Sequence, residues 1–297
     1  MLASTSANSA GQGRVLAAQS LSRLDEMTAV LAADPPIAIA VHGGDGTLHK
    51  TLSSLIRAFA GKAAPLPVIA ILPGGTMNVV ASSLGLLGRP EAILEALVGQ
   101  LILASRAGTS LRTISRHCLK VDDAYGFVFG NGLMANFLEE YYAAEEYGSR
   151  RALRILAHTF TSGLVGGGYA RKIFRPFEGT VVVDGQPLPW QRLTGVGAAT
   201  VREVGLGFKL NHRADDDPEQ FGVLAIHGSP VALSLDLAPV HRGTGISPKR
   251  AYSALGRSMR VEAAAGESAY TIDGDLYRSR AAISVDLGPT IRFFNWR

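Results

Sequence analysis

The stretch IAIAVHGGDGTLHKTLSSLIRAFAGKAAPLPVIAILPGGTMNVVASSLGL, residues 37–86, decides the fold of this chain. Each half of it is a short apolar run followed by a glycine-rich turn and a helical segment. The runs at 37–41 and 68–72 have the pattern of strands buried on both faces. We therefore predict two neighbouring parallel strands whose carboxyl ends carry the turns at 43–47 and 73–76. The first helix is predicted to open at Leu48, with Thr47 as its cap and Gly61 at its end.

Two glycine turns at one sheet edge favour a site for negative charge. Glycine lets the backbone approach a ligand closely, and the N–H groups at helix N-termini attract phosphate. Asp45 lies inside the first turn, and a carboxylate beside phosphates repels them unless a cation or a hydroxyl lies between. This combination indicates a metal–nucleotide complex rather than a bare anion. The less favoured alternative is a pair of structural turns without a ligand.

The composition describes a globular protein of 297 residues, with 47% hydrophobic and 18% charged residues. That length can hold two domains of ordinary size. The net charge of +4 suits an anionic surface or cofactor, although a solubilising surface bias explains it equally well. Cys118 is the single cysteine, which excludes an intrachain disulfide and a four-cysteine zinc site. We recognise neither a signal-peptide pattern nor an apolar run long enough to span a membrane, so we expect a cytoplasmic protein.

The pattern along the chain predicts an α/β region followed by a β-rich one. Residues 14–33 are predicted as one helix before the first turn, and further helices are expected near 77–85 and 91–98. From Leu111 the pattern changes to strands joined by turns, so a second domain is expected to begin near 105–110. A hairpin is predicted to turn at Asp184-Gly185.

A helical segment at 137–165 carries acids and then a run of cations that continues beyond it. The cations are Arg150, Arg151, Arg154, Arg171, Lys172 and Arg175, and the acids are Glu139, Glu140, Glu145 and Glu146. One interpretation is a lid or a membrane-facing surface, where cationic side chains meet anionic lipid headgroups. The other, a solvated charged face, is the more common meaning of such a pattern.

The motifs GGDGT at 43–47 and PGGTMN at 73–78 resemble the diacylglycerol kinase catalytic-domain superfamily. This group includes bacterial lipid kinases, sphingosine and ceramide kinases and, more distantly, NAD kinases. The resemblance implies a Rossmann-like α/β domain with a parallel sheet at 1–107 and a β-sandwich lipid-substrate domain at 108–297. A return of the last strands toward the first domain is one option. Only about one helix precedes the first turn, so the N-terminus is interpreted as shortened relative to the family.

The resemblance also implies the activity and its partners. It implies ATP and Mg²⁺ as cofactors and phosphoryl transfer to the hydroxyl of diacylglycerol or a long-chain base. A lipid substrate implies transient contact with a membrane surface, at which a cytoplasmic protein would be peripheral. No nucleic-acid partner is predicted, and the sequence indicates no oligomeric state.

Carried over residue by residue, the family pattern assigns the site. Nucleotide contacts fall on the two turns, at Gly43, Gly44, Asp45, Gly46, Thr47, Gly74, Gly75, Thr76 and Asn78. Asp45 is also expected to act in catalysis, by meeting Mg²⁺–ATP or the attacking hydroxyl. The stretch Asp273-Gly274-Asp275 resembles the family's D-G-E element, so Asp273 is the candidate general base. A plain hairpin turn is the alternative for this Asp-Gly pair.

Candidate metal ligands lie in a second acidic segment. The resemblance suggests a structural Mg²⁺ site at Asp215, Asp217 and Glu219, with Asp275 as a further candidate ligand nearer the reaction. A solvated acidic turn is an equal alternative for residues 215–219.

Two other functions stay open. An NAD kinase would share GGDGT but is expected to carry a different second motif. The third hypothesis is a nucleotide-binding or membrane-recruitment module without catalysis. The presence of both Asp45 and Asp273 argues against it.

Overall fold

The computed structural model describes residues 2–5, 13–143, 148–205, 208, 213–242, 246–264 and 266–297. Glu145 and Glu146, two of the acids named above, lie outside this part. The chain divides into two compact units. Unit 1 comprises Met1–Cys118, Asp123–Tyr125 and Pro289–Arg297, and unit 2 comprises Leu119–Asp122 and Gly126–Gly288. The sequence-based domain boundary after residue 107 stays a prediction: a helix ends at Ala107, and the first segment of unit 1 continues to Cys118.

The elements of the first part of the chain alternate between strands and helices. They are β1 Leu2–Thr5, β2 Arg14–Leu16, α1 Leu21–Ala33, β3 Ala38–Gly43, α2 Asp45–Phe59, β4 Val68–Pro73, α3 Val79–Ser83, α4 Pro90–Ala107 and β5 Thr113–Val121. The strands of the two motifs, β3 and β4, are parallel neighbours, as the sequence predicted. On the far side of β3 the sheet continues with β1 and β2, which are antiparallel, so the sheet is mixed.

Helices cover both faces of β3 and β4, which is why both strands are continuously apolar. Side chains of α1 and α2 pack against Ile39, while α4 packs against the alternate residues of both strands. The α4-facing cluster consists of Ala38, Ala40, Val68, Ala70, Leu72, Ile93, Leu97, Leu101 and Phe294. Each large aliphatic side chain buried in this way contributes roughly 1.5–3 kcal/mol. This core holds the carboxyl ends of β3 and β4 in place.

The N-terminal segment differs from the sequence prediction. Residues 14–33 are not one helix, because residues 14–16 form β2 and α1 begins only at Leu21. Ser20 decides the start, since its hydroxyl accepts a hydrogen bond from Arg23 N at 3.2 Å. The expectation of a single helix before the first turn is therefore wrong: two short strands also precede it.

Unit 2 is mainly antiparallel β-structure, and its described residues also form four helices. After β6 Ala124–Gly126, most of which belongs to unit 1, the elements are β7 Val128–Gly132, α5 Leu133–Tyr142, α6 Ser149–Leu164, α7 Gly168–Ile173, β8 Phe177–Val183, β9 Gln186–Pro187, β10 Arg192–Leu193, β11 Gly195–Ala199, β12 Phe221–Ile226, α8 Pro230–His241, β13 Ala251–Gly256, β14 Ser258–Ala263, β15 Ser268–Ile272, β16 Asp275–Ser279 and β17 Ile283–Phe294, whose last residues, from Pro289, return to unit 1. One sheet has the order β13-β12-β11-β7-β15-β16, and β10, β8, β14 and β17 pair in a second.

Two local predictions in unit 2 are settled by these elements. The hairpin at Asp184-Gly185 is confirmed between β8 and β9. The helical segment predicted at 137–165 is represented by α5 and α6, and α5 begins earlier, at Leu133. Within the described residues, no helix has both the length and the apolar character needed to cross a bilayer.

Candidate functional site

The first turn joins β3 directly to α2. Gly44 is the N-cap and Asp45 the first helical residue, so the helix begins three residues before the predicted Leu48 and Thr47 is not its cap. Thr47 instead folds back over Gly43, where an added Cβ would lie 2.5 Å from the Thr47 hydroxyl oxygen. The N-cap contributes no side-chain hydrogen bond. The N-cap therefore leaves the first backbone N–H groups of α2 without a cap, which suits an anion site, although the Asp45 N–H lies against its own carboxylate.

The second turn follows β4 and lies against the first. The two strands end in register, with Gly43 opposite Pro73, and Gly74 N donates to Gly43 O at 2.9 Å. An added Cβ on Gly44 would lie 3.0 Å from Gly75 Cα, and one on Gly75 would overlap Gly44 Cα. Glycine is required at both positions because the two backbones touch. The predicted juxtaposition of the two turns at one sheet edge is therefore present in unit 1.

Asp45 ties the two turns together. Its carboxylate accepts hydrogen bonds from Val79 N at 3.0 Å and Val80 N at 3.2 Å, the first amides of α3. Burial raises the pKa of Asp45 above its ordinary value, and the amide bonds only partly offset this effect. The backbone N–H groups of Asp45 itself and of Asn78 also favour the charged form, so four amides surround this carboxylate. The predicted catalytic role of Asp45 stays a prediction, and its bracing of the second turn is a contact that the sequence did not reveal.

The remaining polar residues of the second turn have different surroundings. Asn78 is in the left-handed conformation with φ of 47°. Its side-chain amide donates to Gly75 O at 2.8 Å and accepts from Gly75 N at 3.1 Å, which closes the turn. Thr76, in contrast, is exposed. Thr76 thus has a side chain open to a ligand, whereas the Asn78 amide already serves the turn itself.

A buried polar pair on α2 was missed by the sequence analysis. His49 Nδ1 lies 2.7 Å from Tyr125 O, and Ser53, one turn further along, accepts from Tyr125 N at 2.9 Å. His49 is almost fully buried. Both side chains hold one backbone residue of unit 1 against the helix that carries the first turn. The i, i+4 spacing of His49 and Ser53 is the only signal in the sequence.

Asp273 occupies the first position of a two-residue hairpin turn between β15 and β16. Its carboxylate accepts from Phe127 N at 2.9 Å and from Val128 N at 2.8 Å. Asp273 and Gly274 both have positive φ, 48° and 88°, which is the geometry of a type I′ turn. The hairpin interpretation of this Asp-Gly pair therefore describes the backbone. The assignment of Asp273 as the general base stays a prediction.

The same arrangement recurs twice elsewhere in unit 2. Asp122, Asp184 and Asp273 all have φ of 47–48°, and the backbone N–H of each donates to a neighbouring strand at 2.9 to 3.0 Å. The carboxylates of Asp122 and Asp184 likewise accept backbone N–H groups of the neighbouring strand. These residues form a set of left-handed aspartates that fasten hairpins to adjoining strands. Asp273 differs from the other two in being buried.

Asp275 lies at the start of β16, beside two stacked tyrosines. The rings of Tyr270 and Tyr277 are stacked with centroids 5.5 Å apart. Burial, followed by the charges of Asp275 and Asp273, raises the pKa of Tyr277 to about 12. Both phenols are therefore neutral hydrogen-bond donors at physiological pH.

The acidic segment at 215–219 has its own partners. Asp215 pairs with Arg202 at 2.8 Å. Asp217 accepts from Glu219 N at 2.9 Å and from the Gln220 amide at 2.6 Å, and these bonds lower its pKa. In the described part of the chain, no three His, Cys, Asp or Glu residues are grouped to hold a metal ion. The residues proposed for the structural Mg²⁺ site thus do not fit a cation cage in this arrangement.

An apolar cavity of about 40 Å³ lies against the β7–β11 pair of unit 2. The glycines of these strands make room for Met134, since a Cβ on Gly130 would collide with its sulfur. Asn131 is the one polar side chain among the described residues that line it. Its amide nitrogen donates to Ser268 Oγ at 2.7 Å. The cavity would hold a few water molecules, because about 10–15 Å³ suffices for one. An acyl chain would fit only if the side chains that line the cavity moved.

Residues 7–109 match the family profile of the diacylglycerol kinase catalytic domain. Three similar solved structures come from Bacillus anthracis strain Sterne, one called a diacylglycerol kinase and two called candidate diacylglycerol kinases. They have TM-scores of 0.62, 0.66 and 0.65 at 14, 14 and 15% identity. Each alignment covers 95% of this chain and 84–85% of the other. No curated protein sequence matches this chain.

These comparisons confirm the resemblance that GGDGT and PGGTMN indicated, and they place both motifs inside the matched segment. At such low identity the likeness to the solved structures establishes the fold: an α/β region with parallel strands, followed by an antiparallel β region.

Proposed function

We propose that this chain is an ATP-dependent lipid kinase that transfers a phosphoryl group to the hydroxyl of diacylglycerol or a related lipid. The observation that carries the proposal is the pair of glycine turns. They end adjacent parallel strands, touch at Gly44 and Gly75, and fall within the segment that matches a diacylglycerol kinase catalytic domain. Two backbone cradles in contact suit a polyphosphate better than a single small anion.

The residues of unit 1 bind and orient in this proposal. The uncapped N–H groups at the start of α2 donate to phosphate oxygens, and Gly44, Gly74 and Gly75 let the ligand approach the backbone. Asp45 fixes the second turn relative to the first through its bonds to α3. ATP, when bound, supplies the γ-phosphoryl group that is transferred. Phosphoryl transfer depends mainly on positioning and charge neutralisation, which preformed turns provide.

Asp273 is assigned the proton-accepting role by the family pattern. A base must reach the hydroxyl that it deprotonates, and the Asp273 carboxylate already accepts two backbone N–H groups. The described acids form no cage for Mg²⁺, so no step here is assigned to a protein-bound metal.

The direct test is transfer of labelled phosphate from ATP to lipid by the purified chain. A panel of diacylglycerols and long-chain bases, each presented in detergent micelles, should contain an acceptor. Asp45→Ala and Asp273→Ala should abolish the transfer, whereas Asp184→Ala, which removes an aspartate of the same hairpin type, should retain it. Full activity in both of the first two variants would overturn the proposed mechanism. NAD in place of lipid should accept nothing.

One observation favours a second candidate, a nucleotide-binding module without catalysis. Asp273 shares its hairpin geometry with Asp122 and Asp184, which suffices to explain its presence structurally. Tight ATP binding without turnover on any lipid of the panel would decide for this alternative.

A further inference from the structure

Helix α4 carries apolar side chains on the side that faces solvent as well as on the side that faces the sheet. Its inner side is buried in the core of unit 1 through Ile93, Leu97 and Leu101. On its outer side Val98, Ile102 and Leu103 are 40%, 47% and 63% exposed. A helix that is apolar all round is typical of one that is covered all round. The outer side of α4 therefore has the character of an interface.

Helical spacing places the exposed residues of α4 side by side. At 3.6 residues per turn, Gly99 and Ile102 are neighbours in the middle of the outer side, with Val98 on one flank and Leu103 on the other. All four positions are exposed, whereas the positions that alternate with them, 97 and 101, are buried. We call these four residues the α4 stripe.

Gly99 forms a notch in this stripe. A Cβ added there would meet no atom within 4 Å, so the packing of the single chain does not require a glycine. Glycine in the interior of a helix is less favourable than alanine. A notch beside a branched side chain, Ile102, does however let a second helix approach closely, because the ridges of one helix pack into the grooves of the other.

The stripe has opposite charges at its two ends. Glu95 precedes it and Arg106 follows it, both are exposed, and neither has an ion-pair partner in the described part of the chain. The two residues are equally far from a point between positions 100 and 101. If two copies of α4 crossed antiparallel at that point, Glu95 of one copy would lie opposite Arg106 of the other. The same alignment would place Ile102 opposite the notch at Gly99.

We propose that the α4 stripe is the interface of a homodimer, in which two copies of the chain pack their α4 helices antiparallel about a two-fold axis. An interface of this symmetry must be complementary to itself, and the stripe meets that condition in shape and in charge. An anionic bilayer would repel Glu95, whereas a second copy neutralises it. The inference goes beyond the proposed function, because no residue of α4 is assigned to the site.

Sedimentation equilibrium of the full chain measures this association directly. The segment from Glu95 to Arg106 is about 17 Å long, so the interface lies at the small end of specific interfaces and should dissociate in the micromolar range. With rising concentration the mass should therefore increase from the 31.3 kDa of one chain towards twice that value. At lower concentrations the monomer predominates.

Aspartate substitutions test the apolar part of the interface. Ile102→Asp with Leu103→Asp would bury four carboxylates in the dimer and should abolish it at every concentration. The matched control is Leu21→Asp with Val30→Asp on α1, where the side chains are 60% and 63% exposed. This control adds the same charge and should leave the dimer intact. Unchanged thermal unfolding shows that both variants are folded.

An exchange of the two charges tests the antiparallel arrangement. Glu95→Arg alone and Arg106→Glu alone would each set like charges opposite each other at both ends of the interface. An exposed ion pair contributes up to about fivefold and the dimer has two, so each single variant should weaken it about 5–25-fold. Glu95→Arg combined with Arg106→Glu should restore it. The two residues are too far apart on one helix to pair within a single chain, so restoration can only arise between copies.

Three results would overturn the dimer proposal. They are a monomer mass at all concentrations, equal loss of the dimer in the α4 variant and the α1 control, and failure of the double exchange to restore association. A monomer that floats with phosphatidylcholine vesicles, and loses this binding in the α4 variant, would show that lipid covers the stripe instead of a second copy. None of these measurements involves ATP or turnover, so they leave the proposed function to its own test.

Discussion

Replacing Asp273 by asparagine separates a catalytic role from a structural one. Asparagine keeps the size of the side chain and tolerates the left-handed backbone that position 273 requires. It removes the negative charge and one of the two acceptor oxygens. Asp184→Asn is the matched control, because Asp184 has nearly the same φ and also fastens a hairpin to a neighbouring strand.

The structural cost can be worked out from the contacts. Oδ1 of Asp273 accepts from Phe127 N at 2.9 Å and Val128 N at 2.8 Å, and Oδ2 accepts from Phe127 N at 3.1 Å. A hydrogen bond to a charged group contributes about 1.5–3 kcal/mol and a neutral one about 1 kcal/mol. Asparagine retains one oxygen for these amides, so we expect a loss of about 1–2 kcal/mol in unfolding free energy. Asp184 is exposed, so its variant should lose less.

Urea unfolding of the two variants measures the structural role of the aspartate, and their steady-state kinetics measure the catalytic role. As the general base, Asp273 should contribute about 10²–10⁴-fold to kcat, far beyond what a folded protein loses through a stability change of this size. Asp184→Asn should leave kcat unchanged. If Asp273→Asn lowers only the unfolding free energy and keeps kcat, Asp273 is a hairpin fastener and the assignment as base is wrong.

Two further predictions concern the turns of unit 1. Burial raises the folded-state pKa of Asp45 above its ordinary value. Its protonated form therefore stabilises the fold below that value, and this stability is lost as the pH rises through the raised pKa. In urea unfolding, the Asp45→Asn variant should therefore become more stable relative to the wild type as the pH rises from 4 to 7, and it should lose kinase activity. A loss of stability relative to the wild type over that pH range would contradict the burial argument. Gly75→Ala should cost about 1–3 kcal/mol by forcing a Cβ into Gly44 and should weaken ATP binding in calorimetry. The control is Gly99→Ala on α4, where an added Cβ meets open space. This change should stabilise the folded protein by about 0.5–1 kcal/mol. Equal effects of the two substitutions on the unfolding free energy would refute the close contact of the turns.

The strand–turn–helix units were predictable because their signals are local. A continuous apolar run such as residues 37–41 is buried on both faces, and a glycine cluster after it can only be a turn. The start of α2 was misplaced by three residues because Thr47 is a good capping residue. The structure uses Gly44 instead, since only a glycine can lie so close to Gly75.

The contacts between distant residues could not be predicted from the sequence. Asp45 was singled out for its charge, but its bonds to Val79 and Val80 depend on how β3 and β4 align. The bonds from His49 and Ser53 to Tyr125 join positions more than 70 residues apart. No periodicity within one helix encodes such partners.

The central claim is that the backbone amides of the two glycine turns bind one polyphosphate. Amide NMR of the isotope-labelled chain, titrated with Mg²⁺–ATP and with adenosine, tests it most directly. The account predicts that Mg²⁺–ATP shifts the amide signals of residues 44–47 and 74–76 together, with one saturation curve, and that adenosine does not. Saturable ATP binding that leaves both sets of amides unshifted would contradict it.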